Sequence, residues 1–226
     1  MALLGGAAVC SWNDVKPEGR EDVYQWHNRE HLPERLGIPG FLRGRRFRSE
    51  TAVPEFMFLY EARDMSVLGG EDYFARLDNP TPWTSRATKN FHNSYRSVFD
   101  IQFSAGVSMG GAILALRVIP ADAERLKAEL IETILPPIEP GVGITGVHFG
   151  ISNQQISQRD TAEKRGRGAP FKMIGWVLLV EGVSADVLKR VRDEVLTDAR
   201  LEASGAQPGS IEGGIYQLEI CRLPQD

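Results

Sequence analysis

Cysteine is scarce. Two residues of this type, Cys10 and Cys221, occur in 226, too few for a disulfide framework and without the paired spacing of a zinc site. Each lies inside a strand-like run, which predicts buried free thiols. No stretch approaches the roughly eighteen consecutive apolar residues that a membrane-spanning helix needs. The N-terminal segment MALLGGAAVCSW has no basic flank and passes directly into Trp12-Asn13-Asp14, so it reads as a first strand and not as a leader. A cytoplasmic location is the expectation. Basic charge is not in excess either: the net charge is −4 and no lysine or arginine run is long, which argues against nucleic acid and anionic membrane as partners. Also missing are a P-loop, a nucleophile elbow and a dinucleotide glycine fingerprint. Gly141-Val142-Gly143 precedes a strand instead of a helix and is no phosphate cradle.

What is present is an ordinary globular composition, 42% hydrophobic and 25% charged, on a chain long enough to bury a substantial core. Its elements occur twice. Hydrophobic period and turn residues predict a strand at 5–12, a helix from 17 to about 35, strands at 41–49 and 55–63, a helix at 66–78 and a strand at 95–103, with an irregular segment around Trp83 and His92. The order β-α-β-β-α-β is the ferredoxin-like unit. The second half repeats it with strands at 110–119, 142–152, 172–183 and 214–223 and helices at 121–138 and 185–203. Gly5-Gly6-Ala7 echoes Gly110-Gly111-Ala112, Pro39-Gly40 echoes Pro140-Gly141, and Leu59-Tyr60-Glu61 echoes Leu179-Val180-Glu181. The offset between matching positions grows along the chain, so the second half holds an inserted loop. The polar, aperiodic stretch 153–170 is that loop, read as mobile and solvated in preference to a lid whose arginines greet an anion.

The stretch WHNREHLPERLGIPGFLRGRRF, 26–47, concentrates the chemistry. Val23, Trp26, His27 and His31 share one helix face. Pro33 should kink or end the helix, which would place His31 near a C-terminus where the helix dipole favours its protonated form. His27 and His31 have a metal-compatible spacing, yet no glutamate stands at a zincin position and no third histidine follows, so no metal is expected. Arg43, Arg45, Arg46 and Arg48 alternate onto both faces of their strand. They read as charges protecting a solvated edge, or as anion stabilisers if one face meets a ligand.

An amphipathic helix bearing His31-Leu32-Pro33 near its end, then a Pro39-Gly40 turn into a strand, resembles the EthD-like branch of the dimeric α/β-barrel superfamily. The resemblance implies an α+β fold: two ferredoxin-like βαββαβ units that pair their sheets within one chain as a dimeric α/β-barrel-like architecture. The chain would then be a monomer with an internal pseudo-dimer, or a homodimer of it. It also implies oxygenation, cyclisation or isomerisation of a hydrophobic or aromatic compound without a tightly bound cofactor, with His31 as acid/base. Other branches of the superfamily use a helix histidine to ligate haem, so a haem-binding protein is one alternative. A non-catalytic small-ligand carrier is another.

The two halves are unequal. Residues 1–106 hold most of the aromatic and titratable groups, whereas the helix at 121–138 has no histidine or aromatic residue. This points to a working half at 1–106 and a scaffolding half at 107–226. Beside His31, the candidate ligand-binding residues are Trp12, Asn13, Trp26, His27, Tyr60, Trp83 and Arg45.

Overall fold

Among the described residues, eight strands with large apolar residues at alternate positions leave both faces of each sheet in need of cover, and one closed barrel provides it. The computed structural model describes residues 3–225. Met1 and Ala2, which open the N-terminal apolar segment, and Asp226 lie outside the described residues. The first half contains β1 (Ala7–Val15), α1 (Arg20–Trp26), a π-helical turn (His27–His31), α2 (Leu32–Leu36), β2 (Phe41–Arg48), β3 (Phe56–Ala62), α3 (Met65–Leu68), α4 (Glu71–Asp78), α5 (Pro82–Ala87) and β4 (Phe91–Gly106). The second contains β5 (Ala112–Val118), α6 (Ala123–Glu129), a second π-helical turn (Leu130–Ile134), β6 (Ile144–Ser152), α7 (Gln154–Gln158), α8 (Ala162–Gly166), β7 (Trp176–Gly182), α9 (Ala185–Glu194), α10 (Asp198–Ala203) and β8 (Glu212–Arg222).

The strand order round the barrel is β1-β3-β2-β8-β5-β7-β6-β4. Each half thus contributes the ferredoxin-like order 4-1-3-2, and the halves are hydrogen-bonded at two seams. At one, Arg45 of β2 faces Cys221 of β8; at the other, Ser104 of β4 faces His148 of β6. The architecture is that of a dimeric α/β-barrel folded within a single chain.

Strand alternation sorts the side chains into three cores. On β3, Phe56, Phe58 and Tyr60 face the helices of the first half, while Met57 and Leu59 face the barrel interior. The corresponding layer of the second half is filled largely by aliphatic residues, among them Leu130, Ile134, Leu178 and Val180.

Several expectations are corrected. The helix expected at 66–78 is two short helices, separated at Gly69-Gly70, and that at 185–203 breaks between Glu194 and Asp198. The segment near Trp83 is helical, because Thr81 caps it by accepting from the Thr84 N–H and Pro82 suits a first turn. Cys10 is buried, but Cys221 is exposed at a barrel seam. The arginine strand β2 is not an edge, since it pairs with β3 and β8.

The arginines of β2 therefore need internal partners. Arg45 is fully buried inside the barrel and gives two hydrogen bonds to Glu181, at 2.8 and 2.9 Å, and lies 3.0 Å from Glu61. Glu61 also receives Arg43 at 2.7 and 2.9 Å. His148 stands 3.6 Å from Glu181, too far for a hydrogen bond, and its Nδ1 meets the Ser104 hydroxyl at 2.9 Å. Burial pushes the Glu181 carboxyl up, but the hydrogen bonds and charge of Arg45, with His148 close by, outweigh it and hold the group down at about 2. This ion network ties β2 and β3 of one half to β6 and β7 of the other.

Candidate functional site

The helix after β1 carries Trp26, His27 and His31 on the face that packs against the first-half sheet. Its course is set by a widened turn. The Leu32 N–H donates to the His27 carbonyl, five residues back, and this extra residue accommodates Pro33, which has no N–H for Arg29 and would clash in a regular helix. The helix consequently passes the proline and ends at Leu36. His31 sits within it, not at a C-terminus. The second half uses the same device: the Leu135 N–H reaches the Leu130 carbonyl at 3.0 Å, just before Pro136. The match pairs His27 with Leu130 and His31 with Ile134.

Between this helix and the sheet lies a narrow, partly open slot. Trp26, Phe58, Tyr60, Tyr73 and Phe91 form aromatic walls, and Val9, Ser11 and Asn13 present the helix-facing side of β1. The Trp26 indole is held by its Nε1 donating to Thr84 Oγ1 at 3.0 Å. Its ring lies 4.3 Å from that of His31, centroid to centroid.

The hydrogen bonds of His27 fix its tautomer. A guanidinium offers donors and no acceptor, so Arg46 Nη1 donates to His27 Nδ1 at 3.1 Å. The imidazole proton then sits on Nε2 and is donated to the Tyr60 hydroxyl oxygen at 2.9 Å. The Tyr60 O–H is left free for an acceptor in the slot. Burial pushes the Tyr60 phenol far above its ordinary range, so it stays a donor. His31 is different: its Nδ1 is buried with no partner among the described residues.

Both histidines are neutral. Burial, with Arg46 and His31 nearby, holds His27 well below the ordinary imidazole value, and burial, with Arg35, Arg167 and Arg96 nearby, does the same for His31. The dipole-favoured imidazolium expected for His31 is corrected by these surroundings. Because their folded values lie below the unfolded value of 6.5, their contribution to stability is complete above that pH and is lost as pH falls below it. Each should steepen the decline by about 1.4 kcal/mol per pH unit. Thermal unfolding followed from pH 8 to 5 checks this, and His31→Gln should flatten the curve by one histidine's share.

The segment 153–170 is not the unanchored loop expected from its polarity. Asn153 and Thr161 cap α7 and α8 by accepting from the N–H groups of Ile156 and Lys164. The segment then inserts Glu163 and Arg167 into the slot of the other half. Glu163 is buried and ion-paired with Arg35, and Arg167 Nη2 lies 3.4 Å from it. Burial pushes Glu163 up, but Arg35, Arg167 and Arg96 outweigh that and hold its carboxyl below the usual range. Arg96 donates to the Tyr73 hydroxyl at 2.5 Å.

Of the eight residues named from sequence, His31, His27, Trp26, Tyr60 and Asn13 line the slot. Three do not. Trp12 points into the barrel because it has the opposite parity to Ser11 and Asn13 on β1, and Arg45 does so for the same reason on β2. Trp83 turns outward, its Nε1 donating to Asp22 at 2.9 Å. Arg35, Arg96, Glu163 and Arg167 were missed. Arg35 falls eight residues after His27, close to the same helix face, and was open to view; Glu163 and Arg167 come from the far half and carry no periodic signal. Among the described residues, no cluster of three His, Cys, Asp or Glu converges on a metal position, and no helix is long and apolar enough to cross a membrane.

No protein-family model matches the chain, and no curated protein does. Solved structures do. A candidate monooxygenase of Fusobacterium nucleatum is 13% identical with a TM-score of 0.60, covering 98% of this chain and 96% of its own. An anthrone oxidase-like protein is 10% identical with a TM-score of 0.58, covering 97% and 93%. A mutant chlorite dismutase of Candidatus Nitrospira defluvii is 9% identical with a TM-score of 0.52, covering 95% and 91%. Likeness at this level shows a shared fold over nearly the whole of each chain.

Proposed function

We propose that the protein is a small-molecule enzyme acting on a hydrophobic, aromatic compound in the first-half slot. Its chemistry would be cofactor-independent oxygenation, cyclisation or isomerisation of the EthD-like kind. The observation that carries this is His31, a buried imidazole whose Nδ1 has no partner among the described residues, beside Tyr60 in an aromatic-walled slot. Buried polar groups are otherwise paired, and unpaired ones at one cavity suit a ligand. A neutral imidazole can take a proton from carbon or oxygen. Gaining charge near three guanidiniums is unfavourable, and an anion developing on the substrate offsets that. Tyr60, its hydroxyl oriented by His27, donates to the developing oxyanion. The monooxygenase and anthrone oxidase-like names of two neighbours agree with this reading.

In this reading residues 1–106 carry the slot. The half 107–226 is scaffold except for the segment that closes the slot with Glu163 and Arg167. Haem, the alternative reading, does not fit: both nitrogens of His27 are engaged, and His31 stands in a narrow slot between Trp26 and Tyr60. A visible spectrum of the purified protein without a Soret band is the expected result.

Oxygen uptake and product analysis with a set of phenolic and anthrone-like compounds test the proposal. Conversion supports an enzyme, whereas tight retention of an unaltered compound would make the slot a carrier site. Tyr60→Phe should lower kcat by about 10²–10³-fold, the usual effect of deleting one oxyanion donor, with KM little changed. Unchanged kcat in that variant would remove Tyr60 from the mechanism.

A further inference from the structure

The arginines under the 154–170 segment have more hydrogen-bond donors than the chain supplies acceptors. Arg35, Arg96 and Arg167 all line the slot, with one carboxylate, Glu163, among them. Glu163 accepts from Arg35 Nη2 and stands 3.4 Å from Arg167 Nη2. The other terminal nitrogens, Nη1 of Arg35 and Nη1 of Arg167, are buried and have no acceptor among the described residues. Their side chains are only 4% and 8% exposed, so water does not compensate freely. For Arg35 Nη1 a second carboxylate, Glu34, lies 3.8 Å away, beyond hydrogen-bond reach.

The approach to this cluster has the same character. A second cavity shares Tyr73, Arg96, Glu163 and Arg167 with the slot and opens past Arg159 and Lys164. Arg159 sits 3.6 Å from the centroid of the Phe74 ring, and Lys164 5.0 Å from that of Phe171. The way in is thus both cationic and aromatic, although the chain as a whole is acidic.

On the reading of the slot as a small-molecule site, we infer that its ligand is an aromatic carboxylate. Its anionic group takes the free Nη1 donors of Arg35 and Arg167, and its ring system lies against Trp26 and Phe58. Guanidinium–carboxylate hydrogen bonds are charge-assisted and geometrically selective, which an isosteric neutral amide cannot match. Glu163 is then a resident competitor for the same arginines, and it also fastens the segment that covers them.

The test is calorimetric titration of the full chain with matched pairs, one- to three-ring aromatic acids such as 1-naphthoate and 2-anthroate against their primary amides. At least one acid should bind about 10–100-fold more tightly than its amide, the effect of a buried charge-assisted pair. Arg167→Gln should abolish that preference while leaving amide affinity within about twofold, Arg167→Lys should retain part of it, and Glu163→Gln should tighten acid binding. A structural clasp alone would not give opposite signs for Arg167→Gln and Glu163→Gln. If Arg167→Gln does not fold, Arg35→Gln replaces it with the same expected direction. Amides that bind as well as their acids, or a variant that weakens both alike, overturn the inference and leave the slot as a small-molecule site. Failure of every acid and every amide to bind overturns both readings.

Discussion

His31→Gln should lower turnover of an aromatic substrate by about 10²–10⁴-fold, the range for loss of a general acid/base, and should leave the melting temperature almost unchanged. A histidine that only packs would behave in the opposite way, costing roughly 0.5–3 kcal/mol of stability and no function. His31 is 7% exposed, yet its Nδ1 makes no hydrogen bond, so its polarity is a burden to the folded state. His31→Leu should therefore raise the melting temperature by about 2–4 °C while abolishing turnover, since relieving an unpaired buried nitrogen is worth about 1 kcal/mol. Ile134 shows that an aliphatic residue suits the same helical turn in the other half. His148 supplies the control, because it lies inside the barrel near Glu181 and away from the slot. Equal functional losses in His31→Gln and His148→Gln would take His31 out of the chemistry, as would a large stability loss with function intact.

Arg45→Met should destabilise by about 3–5 kcal/mol, because it leaves Glu181 charged in the barrel without its guanidinium, the Gly110 N–H at 2.9 Å remaining on it. Glu61 keeps Arg43 as a partner, so the damage centres on Glu181. Replacing both partners, Arg45→Met with Glu181→Leu, should recover part of the loss, since an apolar pair removes the desolvation cost of both ions but leaves the Gly110 N–H without its carboxylate acceptor. Denaturant unfolding of the single and double variants measures this. A single-variant cost under about 1 kcal/mol would mean that water reaches Glu181 and that the network contributes little.

Much of the fold was legible because it is carried by local signals. Alternation on β3, the Pro39-Gly40 turn and the repeated strand order all follow from period and turn chemistry, and they place Tyr60, His27 and His31 in one layer. Parity also explains the misplacements of Trp12 and Arg45: a run that is apolar on both faces does not say which face is the barrel interior. Arg45 and Arg46 looked like surface charge because their partners, Glu181 and Glu219, stand 136 and 173 residues away in sequence. Pro33 suggested a helix end, but a proline preceded by a π-helical turn can be passed, and the second half repeats that solution at Pro136. Glu163 and Arg167 were beyond reach for a similar reason. Nothing in a polar, aperiodic segment says that it crosses to the other half and becomes the wall of its cavity.

The most direct measurement is a difference electron-density map from crystals of the protein soaked with the tightest-binding aromatic compound from the titrations. Density between Trp26 and Tyr60, within hydrogen-bonding distance of His31, is the expected result. Density confined to the barrel interior or to the helix layer of residues 107–226, with the slot at His31 unchanged, would contradict the assignment of the working site.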